Sequence, residues 1–276
     1  MPMNDGNCDF LSYAWAMTNG ILPPGHSLVE TQDGSFTLFS EAFQEACHST
    51  TGARAETLLH YVEGCQIKNK LGEFFPLVIL EVGFGLGVGF LTTLEVIGTD
   101  KPWHFISMEI DKNLLEWFRQ KFADHDFLKH LTWKKVGDLE LLEAESLGCK
   151  LTILAGDGRE TLPRYVKEQP VKWHAIYQDA FSPKRNPILW TSEWFQFLKE
   201  HADQEVILST YSASTSIRKS LAASGWKIKK GEKFGPKRTS TRATLTGETD
   251  PEIILQMERS PALVLSDSNI KEFLTK

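Results

Sequence analysis

Four carboxylates fall at or just past the ends of four largely apolar runs. Glu81 stands near the end of the run 76–82, Glu109 ends the run 103–109, Asp157 follows the run 151–155 by one glycine, and Asp179 ends the run 173–179. Short, mainly apolar runs bounded by turn residues predict strands buried on both faces of a parallel sheet. In an open α/β sheet, ligands sit beyond the carboxyl ends of the strands. The four acids are therefore expected along one rim. Such a rim suits recognition of a cation, hydrogen bonding to hydroxyl or amino groups, and acceptance of a proton.

The turn after the first run is Gly83-Phe84-Gly85-Leu86-Gly87-Val88-Gly89. A dinucleotide fingerprint G-x-G-x-x-G would need glycine at 88, where Val88 stands. A pyrophosphate would also be repelled by Glu81. A ligand with cationic groups and no phosphate suits the turn better, and S-adenosylmethionine, with its ammonium and sulfonium, is such a ligand. Glu81, Gly83, Phe84 and Gly85 are expected to hold it. Glu109 lies 20 residues past Gly89, near the interval at which an acid grips ribose hydroxyls. Asp157, beside Gly158, can accept from an adenine amino group. Asp111 reads as a helix cap. Each acid alone would pass for a cap or a solvated loop residue; it is the set, in register with the sheet, that points to a site.

Asp179 opens the loop Asp179-Ala180-Phe181-Ser182-Pro183-Lys184-Arg185-Asn186-Pro187-Ile188-Leu189-Trp190. Methylation of an amine requires a neutral nitrogen, and an alkylamine near pH 7 is mostly protonated. An acceptor that orients the amine and takes its proton meets that need, and Asp179 is placed for it as the catalytic residue. Phe181 could stabilise the developing ammonium with its ring face. Lys184 and Arg185 could hold a phosphate and Trp190 could stack a base, although a tryptophan here also suits the core.

The elements that must position these residues alternate as strand and helix from 76 to 246, which predicts an α/β fold with right-handed crossovers. Residues 1–75 read as an extension packed on that core and 247–276 as a tail. The formal net charge is −6, which excludes a generally basic nucleic-acid binder. Locally, nine cations against the single acid Glu232 stand between Arg218 and Arg242, among them Lys237 and Arg238. Such segregation suggests an anionic partner such as RNA, with a solvated face as the competing reading. The cysteines Cys8, Cys47, Cys65 and Cys149 form no C-x-x-C pair, so reduced structural thiols and no metal site are expected. The first residues have neither the charge nor the apolar stretch of a signal peptide, and no run is long enough to span a membrane, so a soluble cytoplasmic protein is expected.

The run from Leu80-Glu81-Val82-Gly83-Phe84-Gly85 through the D-x-F-x-P-x-x-N-P-x-x-W stretch at 179–190 resembles the methyltransferase domain of the bacterial tRNA 5-methylaminomethyl-2-thiouridine biosynthesis enzymes. Asp33-Gly34-Ser35-x-Thr37-Leu38-x-Ser40-Glu41-x-Phe43 is similar to that domain's N-terminal signature, and Phe234-Gly235-Pro236-Lys237-Arg238 to its C-terminal one. The likeness spans roughly 30–245. It implies a class I S-adenosylmethionine-dependent methyltransferase fold, Rossmann-like, with a mostly parallel seven-stranded sheet and helices on both faces. It also implies methylation of the 5-aminomethyl group of the tRNA wobble uridine, with Asp179 matching the family's catalytic aspartate. A form without the flavin oxidase half of fused members would methylate only. Thr239-Ser240 departs from the Glu-Met-like pair expected there. Alkyl transfer to a small polyamine, or a non-catalytic RNA-binding module on the same fold, are the rival expectations.

Overall fold

The computed structural model of the chain describes residues 22–234 and 239–275. Cys8, Lys237 and Arg238 lie outside them, as does most of the signature at 234–238.

The first run forms β4, Leu77–Val82, with every residue buried. It pairs in parallel with β5 (Trp103–Glu109) on one side and β9 (Trp173–Gln178) on the other. β8 (Cys149–Ala155) continues the parallel sheet beyond β5, and β10 (Ala202–Thr210) continues it beyond β9. Strand parity splits the core in two. Leu77 and Ile79 point into one apolar cluster, while Val78, Leu80 and Val82 point into the other.

The central five strands are parallel, as expected, but the sheet is nine strands wide rather than seven, and its outer strands are antiparallel. The segment 123–149, which reads as polar and irregular, contains a hairpin of β6 (Thr132–Val136) and β7 (Leu139–Ser146). β7 hides its nature because acids interrupt its apolar residues. One of them, Glu143, is buried and neutralised by Lys134 at 3.0 Å and Lys150 at 2.8 Å. At the other edge β11 (Lys227–Lys230) and β12 (Thr241–Thr244) close the sheet.

The N-terminal segment forms a separate three-stranded antiparallel sheet, β1 (His26–Glu30), β2 (Phe36–Ser40) and β3 (Glu45–Ala46). A helix, Ala53–Thr57, runs on into a π-helical turn, Leu58–Glu63. Leu38, Tyr61, Val62, Cys65 and Ile67 from this segment share the core of Leu77 and Ile79, so it packs on one face of the main sheet. At the other end the helix Pro251–Arg259 buries Ile253, and Leu265 follows it into the second core.

Candidate active site

A cavity of about 520 Å³ opens beyond the carboxyl ends of β4, β5, β8 and β9, a volume typical of small-molecule sites. Gly83, Phe84 and Gly85 line it from the turn after β4, Glu109 from β5, Asp157 and Gly158 from the turn after β8, and Asp179 and Phe181 from the loop after β9. The N-terminal sheet and the segment after it supply the facing wall, including His26, Phe43, Cys47 and His48. Among the described lining residues there is no lysine or arginine, whereas Glu109, Asp111, Asp157 and Asp179 are all present. The lining is anionic, as a sulfonium-bearing ligand requires.

The glycine turn crosses close to the Asp179 loop. Gly83 has φ 98°, and a Cβ there would stand 3.1 Å from the Asp179 carbonyl oxygen. The helix Val88–Ile97 begins just after this turn.

Glu81 does not line the cavity. It shares the face of Leu77 and Ile79 with the acids of the rim but stands lower, level with Tyr177, and is buried beneath the glycine turn. It accepts the Ser107 hydroxyl at 2.8 Å, and a Cβ on Gly89 would collide with its Oε1. Burial pushes its carboxyl well above the usual carboxylate range, and nearby Asp179 and Glu109 add to the rise. Expected on the cavity wall, Glu81 stands under the turn that forms it.

Glu109 is on the wall. One carboxylate oxygen accepts from Gly85 N at 3.0 Å, the other from Asp111 N at 2.9 Å. Burial raises its pKa to about 7 against the pull of those two bonds. Asp111 caps the helix Lys112–Lys121, as read from the sequence. Asp157 lines the cavity and also caps the helix Gly158–Glu168, accepting from Arg159 N at 2.9 Å.

Asp179 is almost enclosed, its side chain 11% exposed. Tyr61, from the π-helical turn, donates its hydroxyl to Oδ1 at 2.6 Å. His48 Nε2 stands 3.9 Å from Oδ2. The Tyr61 ring is stacked on Tyr177, and burial followed by the Asp179 charge drives its pKa well up, so it remains a donor. Burial lowers the His48 pKa to about 4, which keeps the imidazole neutral.

The Asp179 loop is tied down from several sides. Tyr211 donates to the Ala180 carbonyl at 3.0 Å, Trp190 Nε1 to the Phe181 carbonyl at 2.8 Å, and Ser182 N to Glu45 at 2.9 Å. Phe43 stacks on Phe181 with ring centroids 4.3 Å apart. Each neutral bond contributes only about 1 kcal/mol, but together they hold the carboxylate's backbone in one position.

Trp190 cannot stack a base, because it is fully buried. Its indole is one of the loop's internal anchors. Lys184 and Arg185 are exposed on this loop beside Asn186 and Ile188, which line the cavity. The basic segment is partly spent on internal and surface pairings. Arg218 is buried, bonded to Thr241, Gln256, Thr239 and Ser240, and Lys219 donates to the Ser260 and Ala262 carbonyls. Lys229 and Lys230 pair with Asp250 and Glu252. Lys227 and Lys233 are exposed.

The residues that sequence reasoning missed are Tyr61, His48, Phe43 and Glu45. Of these only Phe43 stands in the signature at 33–43, as its last residue. Cys47 also lines the cavity, and burial, then the Glu109 and Asp179 charges, push its thiol far up, so it is unreactive. Among the described residues, no group of three or more His, Cys, Asp or Glu is arranged to hold a metal, and no helix is long and apolar enough to cross a membrane.

The parallel centre, the glycine turn after its first strand and the acid-lined cavity at its carboxyl rim define a class I S-adenosylmethionine-dependent methyltransferase fold. Residues 120–246 match the family model described as S-adenosyl-L-methionine-dependent methyltransferase. The chain superposes on the crystal structure of MNMC2 from Aquifex aeolicus with a TM-score of 0.71 and 27% identity, covering 95% of this chain and 91% of that one. It is 28% identical over 239 residues to the tRNA 5-methylaminomethyl-2-thiouridine biosynthesis bifunctional protein MnmC of Paraburkholderia phymatum, covering 82% of this chain and 35% of that protein. The protein of the same name from Burkholderia mallei is 27% identical over 270 residues, covering 91% of this chain and 39% of that one. The chain thus spans little more than a third of the length of these relatives. The resemblance read from the motifs is borne out.

Proposed function

We propose that this chain transfers a methyl group from S-adenosylmethionine to the exocyclic amine of a 5-aminomethyl wobble uridine in tRNA. The observation that supports it most is the cavity lined by Glu109, Asp111, Asp157 and Asp179 without a lysine or arginine among its described residues. Such a lining fits a positively charged sulfur compound and a substrate amine, and disfavours phosphate. When bound, the donor supplies an electrophilic methyl group on a sulfonium.

The chain's own residues then divide the work. Gly83, Phe84 and Gly85 leave the turn open to close approach. Glu109 keeps lone pairs for ribose hydroxyls after taking two backbone N–H groups. Asp157 accepts from the adenine amino group. Asp179 orients the amine and accepts its proton, with Tyr61 fixing one carboxylate oxygen so that the other faces the substrate. Phe181, braced by Phe43, offers a ring to the ammonium. Lys184 and Arg185 hold tRNA phosphates beside the mouth, joined in this reading by Lys237 and Arg238. A partner of this kind puts the protein in the cytoplasm.

The test is methyl transfer to tRNA from cells that leave the 5-aminomethyl group unmodified. The wild-type chain should label it. Asp179→Ala should lower the rate roughly 10²–10⁴-fold, and an unchanged rate would remove Asp179 from the chemistry. Nuclease digestion of the substrate should abolish transfer; survival of the activity would favour a polyamine acceptor instead.

A further inference from the structure

The methyl acceptor just proposed is a primary amine, and the site has two fixed groups that could each take one of its hydrogens. We propose that His48 Nε2 and Asp179 Oδ2 together grip the two N–H bonds of the neutral amine, making His48 the residue that limits transfer to a single methyl group. This inference rests on the function proposed above.

The geometry carries it. His48 lines the cavity, and its Nε2 stands 3.9 Å from Asp179 Oδ2. That is too far for a bond between them. It is close enough for one nitrogen to reach both, since two hydrogen bonds of about 2.9 Å from an NH₂ group span about 4.7 Å when straight and less when bent. The ring is held from behind. Thr37 Oγ1 lies 3.2 Å from His48 Nδ1 and also accepts the His48 backbone N–H at 3.0 Å. In the tautomer proposed here Nδ1–H donates to that oxygen, and Nε2 is left as an acceptor facing the cavity. Burial keeps the ring neutral, so it does not compete with the donor's cation. On the far side Tyr61 occupies Oδ1 at 2.6 Å, which directs Oδ2 toward the same nitrogen.

An amine held by both hydrogens presents its lone pair in one direction only. The substrate arrives as an ammonium and gives one proton to the Asp179 carboxylate, which passes it to water and is ionised again when Oδ2 grips the neutral amine. The nitrogen lone pair then forms the N–C bond as the C–S bond of the sulfonium donor breaks, with that electron pair going to sulfur. The product leaves as a secondary ammonium. A second round would need the neutral secondary amine, which has one N–H for two acceptors. It would leave His48 Nε2 unsatisfied and set a methyl group against it, at a cost of roughly 10²-fold or more in rate.

The experiment reads product ratios by nucleoside mass spectrometry. Wild-type protein is offered tRNA bearing the primary amine and, separately, tRNA bearing the monomethylated amine. Transfer to the secondary amine should be at least about 10²-fold slower; comparable rates overturn the proposal without any variant. His48→Ala, with His48→Leu as the volume-matched alternative, should release a dimethylated product and slow the first transfer. Binding of S-adenosylmethionine by calorimetry should stay within about twofold of wild type in either variant. His48→Gln, which can present a carbonyl oxygen, should restore the single-methyl product. If folded Ala and Leu variants yield only the monomethyl product at the wild-type rate, His48 has no such role. Failure of the wild-type protein to label the primary amine at all would instead sink the proposed function.

Discussion

Tyr61 and Asp179 are 118 positions apart in the chain, yet the tyrosine hydroxyl donates to the aspartate at 2.6 Å. A π-helical turn in the N-terminal segment carries one, and the end of a parallel strand carries the other. π-Helical turns are rare and concentrate at functional sites. Here the turn brings a phenol, stacked on Tyr177, against the group expected to accept a proton.

Tyr61→Phe keeps the ring and its stacking and removes only the donor. A hydrogen bond to an ionised carboxylate favours the charged form. Its loss therefore raises the Asp179 pKa, and the acid becomes a usable base only at higher pH. A bond of about 1.5–3 kcal/mol corresponds to roughly 1–2 pH units. We expect the acidic limb of the kcat/KM profile to move up by about one unit, with donor affinity unchanged. A profile that overlays the wild type would show that Tyr61 has no hold on the reactive carboxylate.

Glu109 gives a second pH dependence with a definite sign. Its pKa in the fold is about 7, raised from 4.5 by burial. The folded protein thus holds a proton that the unfolded chain has lost between pH 4.5 and 7. The stability this contributes is fully present below pH 4.5 and disappears as pH rises through 7. Binding of ribose hydroxyls prefers the ionised form. Calorimetry should show S-adenosylmethionine binding weakening by up to about tenfold per unit as pH falls below 7. Glu109→Gln should bind more weakly and lose that slope, and its melting temperature should fall less between pH 5 and 8 than that of the wild type.

The residues that a strand delivers to the rim were readable in the sequence, because a parallel strand announces itself by an apolar run and a turn. Glu109, Asp157 and Asp179 reach the cavity for that reason. Glu81 shares a sheet face with Glu109 and Asp179 but stands two residues short of them, level with Tyr177 and beside Ser107, a difference of depth that the sequence alone does not show. The opposite wall was illegible. His48, Phe43 and Tyr61 meet the Asp179 loop only through tertiary packing, and no periodicity links residues so far apart. The same holds for Arg218. A lysine-arginine run reads as a charged surface until the fold shows the guanidinium buried among Thr241, Gln256 and Ser240.

Trp190 separates a packing role from a base-stacking one. Its indole is fully buried and donates to the Phe181 carbonyl at 2.8 Å. Trp190→Phe removes that bond and part of the packed volume, and should cost about 2–3 kcal/mol of stability, read as a lower urea midpoint. The loosened loop should lower kcat a few-fold, while KM for tRNA stays within about twofold because no contact with a base is lost. A large rise in that KM with stability intact would restore the stacking role.

Lys184 and Arg185 are the exposed cations nearest the cavity in the described structure of the Asp179 loop. If they hold two phosphates, replacing both with alanine removes charge without touching the acid-lined pocket. The affinity for tRNA should fall about tenfold or more near physiological salt. The slope of log affinity against log salt should become shallower by roughly 1.4–1.8, the counterions released at two phosphates. S-adenosylmethionine binding should be unaffected, since neither residue lines the cavity. Filter-binding titrations at several salt concentrations supply the slope. An unchanged slope would mean that the nucleic acid approaches from another side, and that the cations of this loop serve only solubility.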